Sequence, residues 1–294
     1  IVKRHEGFFL LKQRIITAIW LIPLVLGAIY LLPVEYFAWA LIAVFLIAAK
    51  EWGRIIDSQC DVTQWSFTCT VGILLIALNL IVPADTIWLR GQIHPIYLAV
   101  VTIGTLWWMV SLLLVVTYPK SAKLWQKSPM LKSMFGQLTL VPCFVALIAL
   151  KSISSQISPY YGASLVLLVM LIVWAADSGA YFVGKAVGKT KLMPAVSPAK
   201  TLEGLLGGLV TTLIVVAGVM YISPEQELGL VVAVTIFVAL ISALGDLSES
   251  MFKRAACIKD SGTILPGHGG VLDRIDSLTA ALPVFTLIYI AFWM

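Results

Sequence analysis

The residues best suited to chemistry lie between Asp246 and Ser277, where the chain reads DLSESMFKRAACIKDSGTILPGHGGVLDRIDS. Asp246, Ser250 and Lys253 are spaced i, i+4, i+7 and share one face if the segment is helical, with Glu249 and Arg254 flanking them. This sets a carboxylate, a hydroxyl and an ammonium in a column. Gly262, Pro266, Gly267, Gly269 and Gly270 then forbid a regular helix and let backbone N–H groups approach an anion closely, with His268 among them as a phosphate contact. Asp273 and Asp276 follow at i, i+3. With Asp246 across the loop they suit a hard cation with oxygen ligands, such as Mg2+. The competing structural readings are a salt-bridge ladder ending a helix and acidic residues satisfying a helix dipole.

Two further groups belong with these. Trp174–Tyr181 places Asp177 near the end of an apolar segment, as a site carboxylate or as a polar residue paired within a bundle. Ser197-Pro198-Ala199-Lys200-Thr201 reads as a helix start, with Ser197 as the N-cap and Pro198 at the first helical position. Lys200 then falls in the first turn, where a lysine opposes the dipole and binding an anion explains it better than helix stability; Glu203 balances its charge. These sets contain carboxylates, lysines, arginines, hydroxyls and glycine loops, with no Cys–His or Ser–His–Asp arrangement. That combination fits phosphoryl or nucleotidyl transfer, in which positioning and charge neutralisation supply most of the catalysis, and not acyl transfer.

The elements that must position them are membrane helices. Of 294 residues, 60% are hydrophobic and 12% charged, and mean hydropathy is +0.99. An ordinary soluble domain carries roughly 25% charged residues. The composition excludes a cytosolic enzyme, a disulfide scaffold, a disordered chain and a nucleic-acid binder, and it predicts an all-α, polytopic bundle. The continuous apolar stretches argue against a β-barrel. About nine spans are expected, near 15–32, 36–49, 66–83, 97–118, 134–150, 162–183, 204–222, 228–247 and 278–294; the second is short enough to be re-entrant, and Asn79 interrupts the third. The first is read as a retained helix rather than a signal peptide. With this count, 18 of the 20 Lys and Arg fall on one side, leaving only Arg90 and Lys151 on the other. The positive-inside rule then puts the N-terminus in the cytoplasm, the C-terminus outside and every candidate site residue at the cytoplasmic face. Residues 1–160 read as a scaffold offering dimer or lipid contacts, and 161–294 as the catalytic region. Residues 119–133 look like a basic surface segment with Trp125 and Leu131 dipping into the interface. Cys60, Cys69, Cys143 and Cys257 are scattered and indicate neither a disulfide nor a zinc site.

The pattern Ser250-x-x-Lys253-Arg254, Lys259-Asp260-x-Gly262, Leu265-Pro266-x-His268-Gly269-Gly270-x-x-Asp273-Arg274-x-Asp276 resembles, without a mismatch, the signature of the phosphatidate cytidylyltransferases, or CDP-diacylglycerol synthases. Ser197-Pro198-x-Lys200-Thr201 is also similar to the family, although Ala199 and Leu202 depart from it. The resemblance implies transfer of the cytidylyl group of CTP to phosphatidic acid, giving CDP-diacylglycerol and pyrophosphate, by a multi-pass bacterial inner-membrane enzyme acting among membrane lipids as a homodimer. It further implies that Asp246 and Asp273 hold Mg2+, alone or with a second cation, assisted by Asp276 and Asp260. Lys253, Arg254, Lys259, Lys200 and Arg274 then hold triphosphate or lipid phosphate. Ser197, Ser250, His268, Gly269 and Gly270 position phosphate oxygens, and Asp177 completes the pocket. The alternatives are a CTP- or ATP-dependent lipid kinase, another lipid nucleotidyltransferase and, in a different class, an ion-coupled transporter using Asp177 and Asp246 as relay acids.

Overall fold

The computed structural model describes residues 19–154, 158–222, 227–264 and 269–294. The described chain is helical: α1 (Ile19–Leu31), α2 (Val34–Ile56), α3 (Asp61–Ile81), α4 (Pro95–Val116), the single turn α5 (Ala122–Trp125), α6 (Pro129–Lys151), α7 (Tyr161–Val187), α8 (Leu202–Ile222), α9 (Leu228–Ala255) and α10 (Leu272–Trp293). Two hairpins interrupt it, β1 (Trp88–Leu89) with β2 (Gln92–Ile93) and β3 (Lys191–Met193) with β4 (Ser197–Thr201), both antiparallel. Among the described residues, seven helices, α3, α4 and α6 to α10, have the length and apolarity of membrane spans. The other two apolar segments of the sequence become α1, described from Ile19, and α2, a continuous 23-residue helix that carries Lys50, Glu51 and Arg54 near its end. Asn79 does not interrupt α3.

Local chemistry explains several boundaries. Pro95 and Pro129 occupy the first turns of α4 and α6, behind His94 and Ser128, whose side chains accept backbone N–H bonds from Ile96 and Leu131. α9 ends in a Schellman turn: Cys257 is left-handed (φ 57°), its N–H reaches the Arg254 carbonyl, and the Ile258 N–H reaches the Lys253 carbonyl. The turn stops the helix just after the Ser250–Lys253 column and sends the chain into the glycine loop.

Burial decides what sits at the centre. The apolar windows of α6 and α10 are 72% and 61% buried, against 22% for α8. So α6 and α10 form the axis, with α4, α2 and α9 packed around it and α8 outermost against α7. Helices in a bilayer gain little from hydrophobic burial and rely on close packing and a few polar bonds. Gly104 of α4 shows the first: a Cβ there would lie 2.2 Å from Pro142 Cβ of α6 and 3.7 Å from Pro283 Cβ of α10. Ser111–Ser248 (2.6 Å) and Trp107–Thr139 (3.1 Å) show the second.

Two expectations are corrected here. Trp125 does not dip into the interface. It is buried, packed against Phe135 and Phe252 at centroid distances of 6.1 and 5.0 Å, in an aromatic cluster that also holds Trp52 and Trp107. Rings of that size are stabilised more by one another than by a half-wet surface. Leu131 is partly buried against the same core. Lys132 also turns inward, donating to the Ile55 and Ile56 carbonyls at the end of α2.

The tight α4–α6 crossing makes a prediction. Gly104→Ala should force Pro142 away and destabilise the bundle by about 1–3 kcal/mol, as overpacked cores do. Gly27→Ala, with nothing within 4 Å of the new methyl, should be neutral or slightly stabilising. Thermal unfolding of both variants in detergent checks this, and equal midpoints would refute it.

Candidate active site

Pro198 does not begin a helix. Ser197–Thr201 is the strand β4, with Met193 opposite Ser197 and Lys191 opposite Thr201. A proline is tolerated in a two-stranded edge ribbon because its missing N–H need not enter the ladder. The capping residue of α8 is Thr201, whose Oγ1 accepts the Gly204 N–H at 3.1 Å. Glu203 reaches back to the N–H groups of Lys189 and Thr190 at 3.1 Å and closes the hairpin. Lys200 is therefore delivered by a strand end instead of a helix turn, and its Nζ meets Asp246 Oδ2 at 2.6 Å. Ser250, one turn along α9, donates to the other Asp246 oxygen at 3.3 Å. The expected helical column is present, and its acid is paired across the hairpin.

Asp246 has acidic company from two other helices. Asp177 on α7 accepts a bond from Ser277 Oγ of α10 at 3.5 Å, and Asp276 accepts the Ser277 N–H at 2.8 Å. The charges of Asp177, Asp246 and Asp276 act on one another. Arg274 stands exposed beside them, within the field of Asp177.

A second, drier group lies behind the first. Lys253 Nζ sits between Glu249 Oε1 (2.8 Å) and Asp273 Oδ1 (2.6 Å), and all three side chains are almost fully buried. Asp273 also accepts the Ser261 N–H (3.0 Å) and the Gly270 N–H (2.8 Å) on Oδ2, so its carboxylate ties both ends of the glycine loop to the start of α10. Gly269 is left-handed (φ 82°), and a Cβ there would lie 2.7 Å from Asp273 Oδ2. Only glycine suits both demands.

The remaining candidates spread around this centre. Arg254 is exposed and its Nε reaches the Val196 carbonyl at 3.4 Å, binding α9 to the hairpin. Lys259 and Asp260 are exposed on the loop. His268 falls outside the described residues. Three residues that sequence reasoning did not single out enter the site: Ser261, Ser277 and, above all, Glu51 of α2, which bonds Ser261 and the start of α10. The available signal is weak: Glu51 is one of three charged residues, with Lys50 and Arg54, at the end of a mostly apolar helix, and spacing alone does not single it out.

Among the described residues, no three His, Cys, Asp or Glu side chains are gathered to hold a metal by themselves. The donor chemistry still fits Mg2+, which is usually held by one or two carboxylates with water and substrate phosphates completing its shell. Asp246, Asp177 and Asp276 supply hard oxygens within one another's electrostatic reach, with Lys200 on Asp246 and the exposed Arg274 within the field of Asp177.

The profile of the cytidylyltransferase family matches residues 12–292. A phosphatidate cytidylyltransferase of Haemophilus influenzae is 40% identical, with 95% of this chain and 99% of the relative aligned. One from Pseudomonas aeruginosa is also 40% identical, over 97% of this chain and 99% of the relative. One from Staphylococcus aureus is 47% identical over 130 residues, 44% of this chain and 50% of its own length. With a profile match over nearly the whole chain and full-length relatives at this identity, the chain belongs to the cytidylyltransferase family.

Proposed function

We propose that the protein transfers the cytidylyl group of CTP to phosphatidic acid, forming CDP-diacylglycerol and releasing pyrophosphate. One observation carries the reading. Residues separated in sequence, Asp177, Lys200, Asp246 and Asp276, converge on one end of a membrane bundle beside the signature loop, with no nucleophile–base pair among them. The names of the full-length relatives supply the substrates.

The reaction asks little covalent chemistry of the protein. The lipid phosphate monoester is an anion at neutral pH and is itself the nucleophile. Its oxygen forms a bond to the α-phosphorus of CTP as the bond from that phosphorus to the β-bridging oxygen breaks, and pyrophosphate leaves with the electron pair. The obstacle is mutual repulsion of two polyanions, which oriented cations and N–H groups relieve. Lys200, Arg254, Lys259 and Arg274 would hold phosphate oxygens in this reading. Ser250 sits beside Asp246, and Ser197 lies on the hairpin strand that presents Lys200. Gly269 is partly exposed and would offer backbone to phosphate, whereas Gly270 is buried with its N–H on Asp273 and shapes the loop end; His268 belongs to the same loop in sequence. Lys253 acts from behind, fixing Asp273.

Asp246, with Asp276 and Asp177, would hold Mg2+ together with substrate phosphates, and the ion would neutralise charge on the attacking and leaving oxygens when bound; a second cation is what the family resemblance allows. Asp273 already accepts bonds on both oxygens, so it orders the loop unless those bonds exchange. Asp260 remains available at the exposed edge.

The site sits at the cytoplasmic face of the bacterial inner membrane in this proposal, supported by the 18-to-2 division of basic residues. Nine crossings follow if α1 and α2 both span, with the N-terminus inside and the C-terminus outside. Residues 161–294 hold most of the site and 1–160 serve mainly as scaffold. A homodimer is what the family resemblance implies.

Purified protein in phosphatidic acid–detergent micelles with α-labelled CTP and Mg2+ should move label into the lipid phase, whereas γ-labelled CTP should leave it in water. The reverse partition identifies a lipid kinase, and no transfer with either label overturns both. Excess EDTA should abolish transfer and added Mg2+ restore it; turnover unaffected by EDTA removes the metal assignment. Asp246→Asn should lower kcat by about 100-fold or more, the scale on which losing one preorganised charge acts. Lys200→Ala should instead raise the KM for CTP by about tenfold, roughly one charge-assisted hydrogen bond.

A further inference from the structure

α10 begins without a cap of its own. Val271 precedes its first residue and offers no side-chain hydrogen bond. The first N–H groups of a helix need acceptors, and buried ones need them most. Here the acceptor comes from a residue more than 200 positions away. Glu51, on the last turns of α2, is 2% exposed. Its Oε1 accepts the Val271 N–H at 3.0 Å, and its Oε2 accepts the Leu272 N–H at 2.7 Å and the Ser261 hydroxyl at 3.1 Å.

The glycines of the loop make room for it. A Cβ on Gly262 would lie 2.2 Å from Glu51 Oε1, and one on Gly270 would lie 2.5 Å from Oε2. Arg54, one turn on, donates to the Ser261 carbonyl at 3.1 Å. On the opposite side, Asp273 takes the N–H groups of Ser261 and Gly270. The two ends of the loop are thus gripped between two carboxylates, one of them belonging to α2.

We infer that Glu51 is a positioning residue: it caps α10 from α2, ties Ser261 to the start of α10, and so fixes Asp273 against Lys253. The activity consequence rests on the cytidylyl-transfer reading; the structural consequence does not. A residue that merely filled space would tolerate an isosteric replacement. A cap would not, because Gln offers one acceptor where Glu offers two and turns an N–H toward an N–H.

The test uses the full chain in detergent. In Glu51→Gln, amide hydrogen exchange in peptides covering 258–272 should quicken by about tenfold or more, the effect of losing one buried hydrogen bond, while helices remote from the loop keep their protection. The KM for CTP should rise by about tenfold on the same reasoning, a change that a smaller folded fraction would not produce. Gly262→Ala, which pushes a methyl at the carboxylate and leaves Glu51 itself intact, should reproduce the faster exchange even if Glu51→Gln folds poorly. Wild-type exchange at 258–272 in both variants overturns the inference. Absence of cytidylyl transfer in the wild-type protein overturns the reading of function, and the exchange measurement still decides the cap.

Discussion

Much of this structure depends on one buried ammonium group. Lys253 lies between Glu249 and Asp273 with almost no solvent, at the point where α9 ends and the signature loop begins. Removing one partner of such a buried group costs roughly 3–5 kcal/mol, because it strands the other's charge. The arrangement is therefore worth little as net stability and much as specification. Asp273 carries the constraint onward to Ser261 and Gly270, and Glu51 receives it on the other side.

That constraint separates two jobs that the carboxylates share in the sequence. In the buried group, Asp273 and Glu51 take lysine, backbone N–H and hydroxyl donors on both oxygens, and Glu249 takes Lys253 on Oε1 while its Oε2 has no hydrogen-bond partner among the described residues. The outer group, Asp177, Asp246 and Asp276, has Lys200, Ser250 and Ser277 as direct partners, with Arg274 within the field of Asp177. Three acids that act on one another are costly in a bundle. In the proposed function a cation delivered with a polyphosphate would relieve them, and Lys200, held on Asp246 by the hairpin, would be the partner exchanged.

The bundle beneath supplies stiffness. Trp52, Trp125, Phe135 and Phe252 join α2, α5, α6 and α9 directly under the site, and the Trp52 indole N–H bonds the Lys132 carbonyl at 3.0 Å. The helices that carry Glu51 and Lys253 thus meet through Trp52 and Phe252, at a centroid separation of 5.3 Å. α8, the least buried span, packs mainly on α7 and leaves much of its surface for lipid.

The sequence by itself determined the class of molecule, the family and the helical column of Asp246, Ser250 and Lys253. Apolar length and i, i+4 spacing are local properties, legible without any neighbour. The glycine loop was legible for the same reason. Whether Ser197–Thr201 became strand or helix was not, because Ser-Pro suits both and the decision lay with Glu203 closing the hairpin onto residues 189 and 190. The sequence likewise named Trp125 as aromatic without saying whether it met lipid or Phe252. Only the tertiary structure could decide that Lys200 faces Asp246, that Asp273 is shared by Lys253 and two backbone N–H groups, and that Glu51 caps a helix at the far end of the chain. Those contacts depend on how helices cross, and no period or motif within a short window records a crossing.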